Sequence, residues 1–341
     1  MDEDSAQLQL PEIVDELDYQ YKTANWLIKS REPFCLGDDV KKQLLSLLCK
    51  QSEFSRTLLK DRGIFRVPFS ESIPFEDEYG EYALDWFPPT DKSIIPTNIV
   101  VYVHGGYWQL VGWKESSSWA VPIANAGSIF VSLSYRLAPQ EKIELMPQHL
   151  CVGMQKVMDL THKMFNNLDD TKLRITLVGH SAGAHLVLEM IYNAHIKSVL
   201  NKNWMRCLQN LVLISGVYDL RPIIYTYLNK AIRLRTEEEA LSVSPIRHFV
   251  KDGPNLLLSK PLHWLVAWAE YESPAMKGQS KYLVDLLSSV SRGSGQNIHL
   301  ECTYETLYMT NEDHFTSLLG LHNGPAQSTM LKKIIDLINI R

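Results

Sequence analysis

The sequence lacks the long apolar and targeting segments typical of membrane and secreted proteins. No run of about 18 apolar residues occurs, so we expect no transmembrane helix. The N-terminal stretch MDEDSAQLQLPEIVDEL is acidic. It has neither the basic and apolar regions of a signal peptide nor the arginines of a transit peptide. No Asn-x-Ser/Thr glycosylation sequence is present. These absences lead us to expect a cytoplasmic protein without a membrane partner.

Cysteine is scarce, and positive charge is not in excess. The five cysteines are scattered and form no Cys-x-x-Cys pair, which predicts reduced thiols and not a disulfide framework. Neither His-Glu-x-x-His nor paired Cys/His spacing occurs, so we expect no metal site. The net charge of −5 gives no reason to expect a nucleic-acid partner.

What the sequence does contain is an alternation of apolar runs and helical patterns. Residues 99–103, 129–133 and 174–178 are near-continuous apolar runs, as in strands buried on both faces of a parallel sheet. Helical patterns separate them. This order predicts an α/β fold with a mostly parallel central sheet and helices on both faces. Further expected elements are strands at 128–139, 261–273 and 297–307 and helices at 115–127, 147–165, 182–196, 277–290 and 324–340.

Two helical segments precede or interrupt this alternation. Residues 1–60 predict an N-terminal helical extension packed on, or capping, the core. Residues 221–255 predict a helical insertion, which includes a capping box from Thr236 to Glu239. We expect the rest of the chain, 61–341, to form a single domain that contains this insertion.

The pentapeptide Gly179-His180-Ser181-Ala182-Gly183 predicts a nucleophile. It matches Gly-x-Ser-x-Gly, with the apolar strand pattern ITLV before it and the helical pattern AHLVLEMI after it. A sharp strand-to-helix turn of this kind exposes the serine hydroxyl at the carboxyl edge of the sheet. We therefore expect Ser181 to be the nucleophile of an acyl-transfer reaction, and such a serine needs a base.

The general base should follow the nucleophile in the chain and lie in the loop after the last strand. The downstream histidines are His185, His195, His248, His263, His299, His314 and His322. His314, in TNEDHF, stands in the expected loop, so we predict it as the base.

The acid of the triad should follow the penultimate strand, HWLVAWAEYES. Strand alternation places Glu270 and Glu272 on the same face, so periodicity does not choose between them. Glu272 is nearer the strand end that Ser273-Pro274 marks, and it is the preferred residue. Asp219, in SGVYDL, remains the main alternative, because some hydrolases take the acid from the preceding strand.

The loop HGGYWQ, which follows the first apolar run, predicts an oxyanion hole. Two adjacent glycines, Gly105 and Gly106, let the backbone approach a substrate closely. The expected donors are amides of this loop, above all those of Gly106 and Tyr107, together with the amide of Ala182. Tyr107 and Trp108 are expected to line the substrate pocket, where their rings suit an aromatic substrate.

Taken together, HGGYWQ, GHSAGAHL, SGVYDLRPI and ESP resemble the kynurenine formamidase (arylformamidase) family, in the hormone-sensitive-lipase-like branch of the α/β-hydrolases. The resemblance implies hydrolysis of N-formyl-L-kynurenine to L-kynurenine and formate without a cofactor. It also implies Ser181 as nucleophile, His314 as base and Glu272 as acid. The chain departs from the family at Glu272, where the family commonly has aspartate.

Other functions remain open at this point. A general carboxylesterase or aryl esterase would use the same residues, and a non-catalytic interaction module would retain the fold. We expect a small aromatic formamide as the partner and leave a homodimer open. An arginine would suit the carboxylate of the substrate, but the spacing selects none.

Overall fold

The computed structural model describes residues 9–28, 37–69, 81–166, 168–196, 203–250, 262–293, 302–319 and 328–339. The α-helices in this part of the chain are α1 (Gln9–Tyr21), α2 (Gly37–Leu59), α3 (Ala120–Asn125), α4 (Met146–Met164), α5 (Ala182–Ile196), α6 (Asn203–Cys207), α7 (Asn229–Ile232), α8 (Glu237–Ser242), α9 (Arg247–Val250), α10 (Pro274–Gly293) and α11 (Thr329–Asn339). The strands are β1 (Phe65–Pro68), β2 (Ala83–Phe87), β3 (Asn98–Val103), β4 (Ile129–Leu133), β5 (Arg174–His180), β6 (Leu208–Ile214), β7 (His263–Tyr271) and β8 (Thr303–Asp313). Short 3₁₀ turns lie at Thr23–Trp26, Lys60–Arg62, Trp113–Glu115, Arg221–Tyr225 and Thr316–Leu318.

The eight described strands form one sheet in the order β1-β2-β4-β3-β5-β6-β7-β8. The pairs β1–β2 and β2–β4 are antiparallel, and from β4 to β8 every neighbouring pair is parallel. The carboxyl ends of the parallel strands therefore meet at one edge of the sheet, where ligands bind in open α/β sheets. The mostly parallel sheet with helices on both faces confirms the predicted fold class.

Both faces of the sheet are covered, which explains the apolar runs. In β3, Ile99, Val101 and Val103 belong to one buried cluster, which also contains residues of α4 and α5. The alternate residues Val100 and Tyr102 belong to the cluster on the other face, with residues of α2, α3 and α11. Since successive side chains point to opposite faces, a strand between two cores is apolar at every position.

Several predicted boundaries differ from the observed ones. The strand expected over 128–139 ends at Leu133, and an irregular loop follows it. The helix expected over 115–127 begins only at Ala120, while Gly127 has a φ of 77° just past its end, as a C-terminal glycine does. The last strand, expected over 297–307, extends instead to Asp313.

The inserted segment contains short helical pieces between β6 and β7. The Oγ1 atom of Thr236 accepts from the amide of Glu239 at 3.1 Å, as the predicted helix cap requires. The Glu239 carboxylate, however, accepts from the amide of Arg235, at 2.7 Å, and not from that of Thr236. The reciprocal half of the capping box is thus displaced by one residue.

Among the described residues there is no helix with the length and apolar character needed to cross a bilayer.

Candidate active site

Ser181 occupies a strained turn between β5 and α5. Its φ of 54° lies in the left-handed region, which costs a non-glycine residue about 1 to 2 kcal/mol. Its amide donates to the carbonyl of Ile214 at 2.8 Å, which fixes the turn to the neighbouring strand. A Cβ at Gly179 would stand 2.6 Å from the Cα of Ala184, and one at Gly183 would collide with the carbonyl oxygen of Val103. Both glycines are therefore required by close backbone approach.

His314 and Glu272 form a buried pair at the same edge of the sheet. His314 is the first residue after β8, and Glu272 is the first after β7. The Nδ1 atom of His314 lies 2.7 Å from Oε1 of Glu272, and both side chains are almost fully buried. With Nδ1–H donated to the carboxylate, Nε2 of the imidazole remains to accept a proton. This is the arrangement of a base held by an acid.

Asp313 fixes the turn that presents His314. Its Oδ1 accepts from the amides of Phe315 and Thr316, each at 2.9 Å, and so caps the 3₁₀ turn that follows. Its other oxygen accepts from the amide of Ile28 at 3.2 Å. The segment after α1 thereby contacts this turn directly. Residues 314–318 are called the histidine loop below.

The structure separates the three carboxylates that the sequence left open. Glu272 has left the strand and folds back, and its Oε2 accepts from the amide of Ala269 at 3.2 Å. Glu270 instead accepts from the amide of Asn311, at 2.8 Å, where the pairing of β7 with β8 is irregular. Asp219 pairs with Arg221 at 2.7 Å. Of the three, Glu272 is the one in contact with His314.

Other downstream histidines have different contacts. His185 accepts from Trp108 Nε1 at 3.0 Å and donates to the carbonyl of Val243 at 2.7 Å, so both ring nitrogens are used. His248 lies 3.0 Å from the buried carboxylate of Glu189. His263 begins β7, at the end of the sheet away from Ser181. His299 and His322 lie outside the described residues, and for His195 only the helical backbone is described.

His180, the residue before Ser181, is hydrogen-bonded to the histidine loop. Its Nε2–H donates to the carbonyl of His314 at 2.9 Å, and the two rings lie 4.6 Å apart. The pKa of His180 is held well below its ordinary value, first by burial and then by the nearby His314. His180 is therefore neutral near pH 7, so it adds no positive charge beside His314.

The HGG loop follows β3 and lies against the serine turn. A Cβ at Gly105 would stand 2.9 Å from the Cβ of Ser181, so only glycine lets the loop come this close. Gly106 has a φ of 107°, and a Cβ there would collide with the carbonyl of Leu110. In the described part of the chain, no acceptor is assigned to the amides of Gly106, Tyr107 or Ala182. These amides are available to a ligand beside Ser181.

Comparison with known proteins agrees with this geometry. Residues 100–251, which hold the HGG loop and the serine turn, match a family model of the alpha/beta hydrolase fold. The kynurenine formamidase of Salmo salar is 30% identical over 324 residues, which is 93% of this chain and 94% of that protein. The chain belongs to the kynurenine formamidase family. It is therefore a hydrolase, and the predicted resemblance is confirmed.

A second curated relative and a solved structure extend the comparison. The kynurenine formamidase of Danio rerio is 29% identical over 307 residues, and the match covers 89% of each chain. A solved structure described as a putative thioesterase from Silicibacter sp. TM1040 superposes with a TM-score of 0.64 at 22% identity, covering 95% of this chain and 98% of that one. At 22% identity, the similarity to this solved structure shows a shared fold.

The two aromatic residues of the HGG loop, Tyr107 and Trp108, lie in different surroundings. Tyr107 lines the pocket beside Ser181, and its hydroxyl accepts from the amide of Thr23 at 3.0 Å and contacts Thr23 Oγ1 at 2.6 Å. Trp108 is fully buried and does not line that pocket. Its indole packs edge-on against His185, to which it donates. The expectation that Trp108 lines the pocket is wrong, because the left-handed backbone at both residues turns its ring into the core.

The cavity in front of Ser181 has three walls from separate parts of the chain. One wall is the HGG loop with Tyr107, and another is the histidine loop with Phe315 and Leu318. A third wall comes from α2 and contains Lys41, Leu45 and Leu48. These residues recur at helical spacing and face one side.

The α2 wall was missed by sequence reasoning. The periodicity of the segment predicted a helix but not which element its apolar side contacts.

The described residues contain no cluster of three or more His, Cys, Asp or Glu side chains suited to a metal ion.

Proposed function

We propose that this protein hydrolyses N-formyl-L-kynurenine to L-kynurenine and formate through a Ser181–His314–Glu272 triad. The observation that carries the proposal is the buried 2.7 Å contact between His314 and Glu272 at the edge of the sheet where Ser181 stands in its strained turn. Two curated relatives named kynurenine formamidase support the choice of substrate.

In the acylation half of the reaction, Ser181 Oγ attacks the formyl carbon and its proton passes to Nε2 of His314. The carbonyl oxygen becomes an oxyanion, which the amides of Gly106, Tyr107 and Ala182 bind. Each such donor is worth on the order of 3 kcal/mol of transition-state stabilisation. The carbon–nitrogen bond then breaks, and His314 returns the proton to the aniline nitrogen. Kynurenine leaves, and the serine carries the formyl group.

In the deacylation half, water attacks the formyl-serine ester and gives its proton to His314. Collapse of the second oxyanion releases formate, and the proton returns to Ser181. Glu272 remains ionised throughout and stabilises the imidazolium that forms twice in the cycle. An arylamine is a better leaving group than an alkylamine, so this site has less activation to supply than a protease has.

The test is hydrolysis of N-formyl-L-kynurenine by the purified protein, followed as the appearance of kynurenine. Wild type should turn over, and Ser181→Ala should lose about 10⁴-fold or more in kcat. Ser289→Ala, whose hydroxyl donates only to the carbonyl of Leu286 on the surface of α10, is the matched control and should retain full activity.

An aryl ester such as phenyl acetate is assayed in parallel. Cleavage of the ester that depends on Ser181, without turnover of the formamide, would move the substrate to the ester class. Failure to hydrolyse either compound would contradict the proposed triad.

A further inference from the structure

Among the described residues that line the cavity beside Ser181, one carries an amine: Lys41, on α2. Among the lining residues, the side chains other than histidine that can carry charge are those of Lys41 and Glu115. The Glu115 carboxylate already accepts from the amide of Gly112 at 3.1 Å, within the 3₁₀ turn that it caps. Lys41 has no ion pair within the described part of the chain. Its cation is thus available to a ligand.

The neighbours of Lys41 leave it without a carboxylate of its own. Asp38, one turn earlier on α2, is paired with Lys22 at 2.8 Å. The next lysine, Lys42, points elsewhere: its side chain is 79% exposed and lies 3.8 Å from Asp39. Lys41 is half-buried, and burial lowers the pKa of its ammonium group, while the charge of Asp38 acts in the opposite direction without pairing with it. A half-buried cation without a paired anion is costly, and an anionic ligand would offset that cost.

Lys41 and Ser181 line the same cavity. The Nζ atom of Lys41 is 5.7 Å from the centroid of the Tyr107 ring, which belongs to the loop that lies against the serine turn. The Tyr107 ring is itself held in place by Thr23. Leu45 and Leu48 continue the same wall of the cavity with apolar surface. The cavity lining therefore combines apolar surface with the serine and a cation.

We propose that Lys41 binds the α-carboxylate of the substrate and makes this protein selective for formamides that carry an amino-acid end. The inference rests on the proposed function and deepens it. The carboxylate of N-formyl-L-kynurenine lies several bonds from the formyl carbon, beyond the aromatic ring. Its partner must therefore lie in the same cavity but on an element other than those that carry the triad, and Lys41, on α2, meets both conditions.

The experiment compares three substrates that share the formanilide group: N-formyl-L-kynurenine, its decarboxylated analogue N-formylkynuramine, and formanilide itself. Wild type, Lys41→Met, Lys41→Arg and the matched control Lys42→Met are assayed on each. For N-formyl-L-kynurenine, Lys41→Met should lower kcat/KM about 10- to 100-fold, chiefly through KM, because a hydrogen bond to a charged group is lost. Its kcat/KM on the two substrates without a carboxylate should stay within about twofold.

The other variants separate charge from shape. Lys41→Arg keeps the cation and should recover most of the preference, while Lys42→Met should behave as wild type on every substrate. L-kynurenine should inhibit wild type more strongly than kynuramine does, and Lys41→Met should abolish that difference.

Different failures have different meanings. An equal loss on all three substrates in Lys41→Met would assign Lys41 to the support of Tyr107 and overturn the proposal. Wild type without preference for the carboxylate would also overturn it, and would leave the formamidase function intact. If wild type hydrolyses none of the three substrates, the proposed function fails, and the role of Lys41 fails with it.

Discussion

The carboxylate of Glu272 lies 2.7 Å from Nδ1 of His314, and a second contact, from the amide of Ala269 to its other oxygen, fixes its orientation. Both side chains are almost completely buried. A charge in such surroundings is poorly screened by solvent, so the carboxylate acts strongly on the imidazole. The longer arm of glutamate is accommodated because the side chain reaches back to the amide of Ala269.

Removing the charge of Glu272 should therefore disable the base. In Glu272→Gln the amide can stabilise the wrong tautomer of His314, and we expect kcat to fall about 10³- to 10⁴-fold. The matched control is Glu270→Gln, since Glu270 accepts only from the amide of Asn311, and it should keep kcat within about twofold. Steady-state kinetics on the formamide measure both. Loss of activity in the Glu270 variant alone would contradict the assignment of the acid.

A side chain at Gly106 should displace the HGG loop. The φ of 107° is unfavourable for alanine, and its Cβ would collide with the carbonyl of Leu110. We expect Gly106→Ala to lower kcat at least about 10²-fold, as the loss of an oxyanion donor does. Gly278→Ala, at an open position in α10, is the control and should leave kcat unchanged. Circular dichroism and thermal unfolding would verify that both variants fold.

The Tyr107 hydroxyl should stabilise the contact between the N-terminal segment and the HGG loop. In Tyr107→Phe the amide and hydroxyl of Thr23 lose their partner, and we expect the free energy of unfolding to fall by about 1 to 2 kcal/mol. In Tyr225→Phe only an exposed bond to Glu237 is lost, so the change should be below about 0.5 kcal/mol. Urea titration measures both. Equal effects would show that the Thr23 contact contributes no more than a surface bond.

Two buried histidines predict acid sensitivity of the fold. Burial is the first cause that lowers the pKa of His104 to about 4 and that of His185 to about 4, against an ordinary value of 6.5. Between pH 6.5 and 4 the unfolded chain binds protons that the folded chain does not. The free energy of unfolding should therefore fall through this window, by up to about 3 kcal/mol for each histidine, and stay level with respect to these groups above it.

Urea titrations at pH 7.5, 6 and 5 measure this dependence. The variant His104→Phe can keep the stacking on Tyr135 and removes one titrating group, so its stability should change less with pH. A free energy of unfolding that is the same at pH 7.5 and pH 5 in wild type would be incompatible with two neutral buried imidazoles.

Local patterns with a single physical solution were predictable. The glycines around Ser181 are required by backbone approach, and the apolar runs are required by a sheet with two covered faces, so both could be read from the sequence. Alternation could not separate Glu270 from Glu272, because the chain leaves the strand after Tyr271 and the alternation ends there. The extended end of β8 escaped prediction for a related reason: its last residues are polar and irregularly paired.

Placement of distant elements was not predictable from periodicity. The ring of Trp108 enters the core through a left-handed backbone, a conformation that non-glycine residues seldom adopt. The α2 wall of the cavity depends on which surface a helix packs against, and the pattern of the helix alone does not contain that information. Lys41 could be recognised only once that helix was placed beside the serine.

The cavity is thus assembled from three separate stretches of chain. Ser181 and the HGG loop belong to residues 100–251, the part that matches the broad hydrolase family, whereas α2 precedes that part and the segment with His314, Phe315 and Leu318 follows it. Mutations in the helix can change which molecules enter without touching the bond-breaking machinery. Two relatives with identical HGG and GHSAG motifs can therefore differ in substrate, and the positions of α2 that line the cavity, upstream of both motifs, are informative for telling them apart.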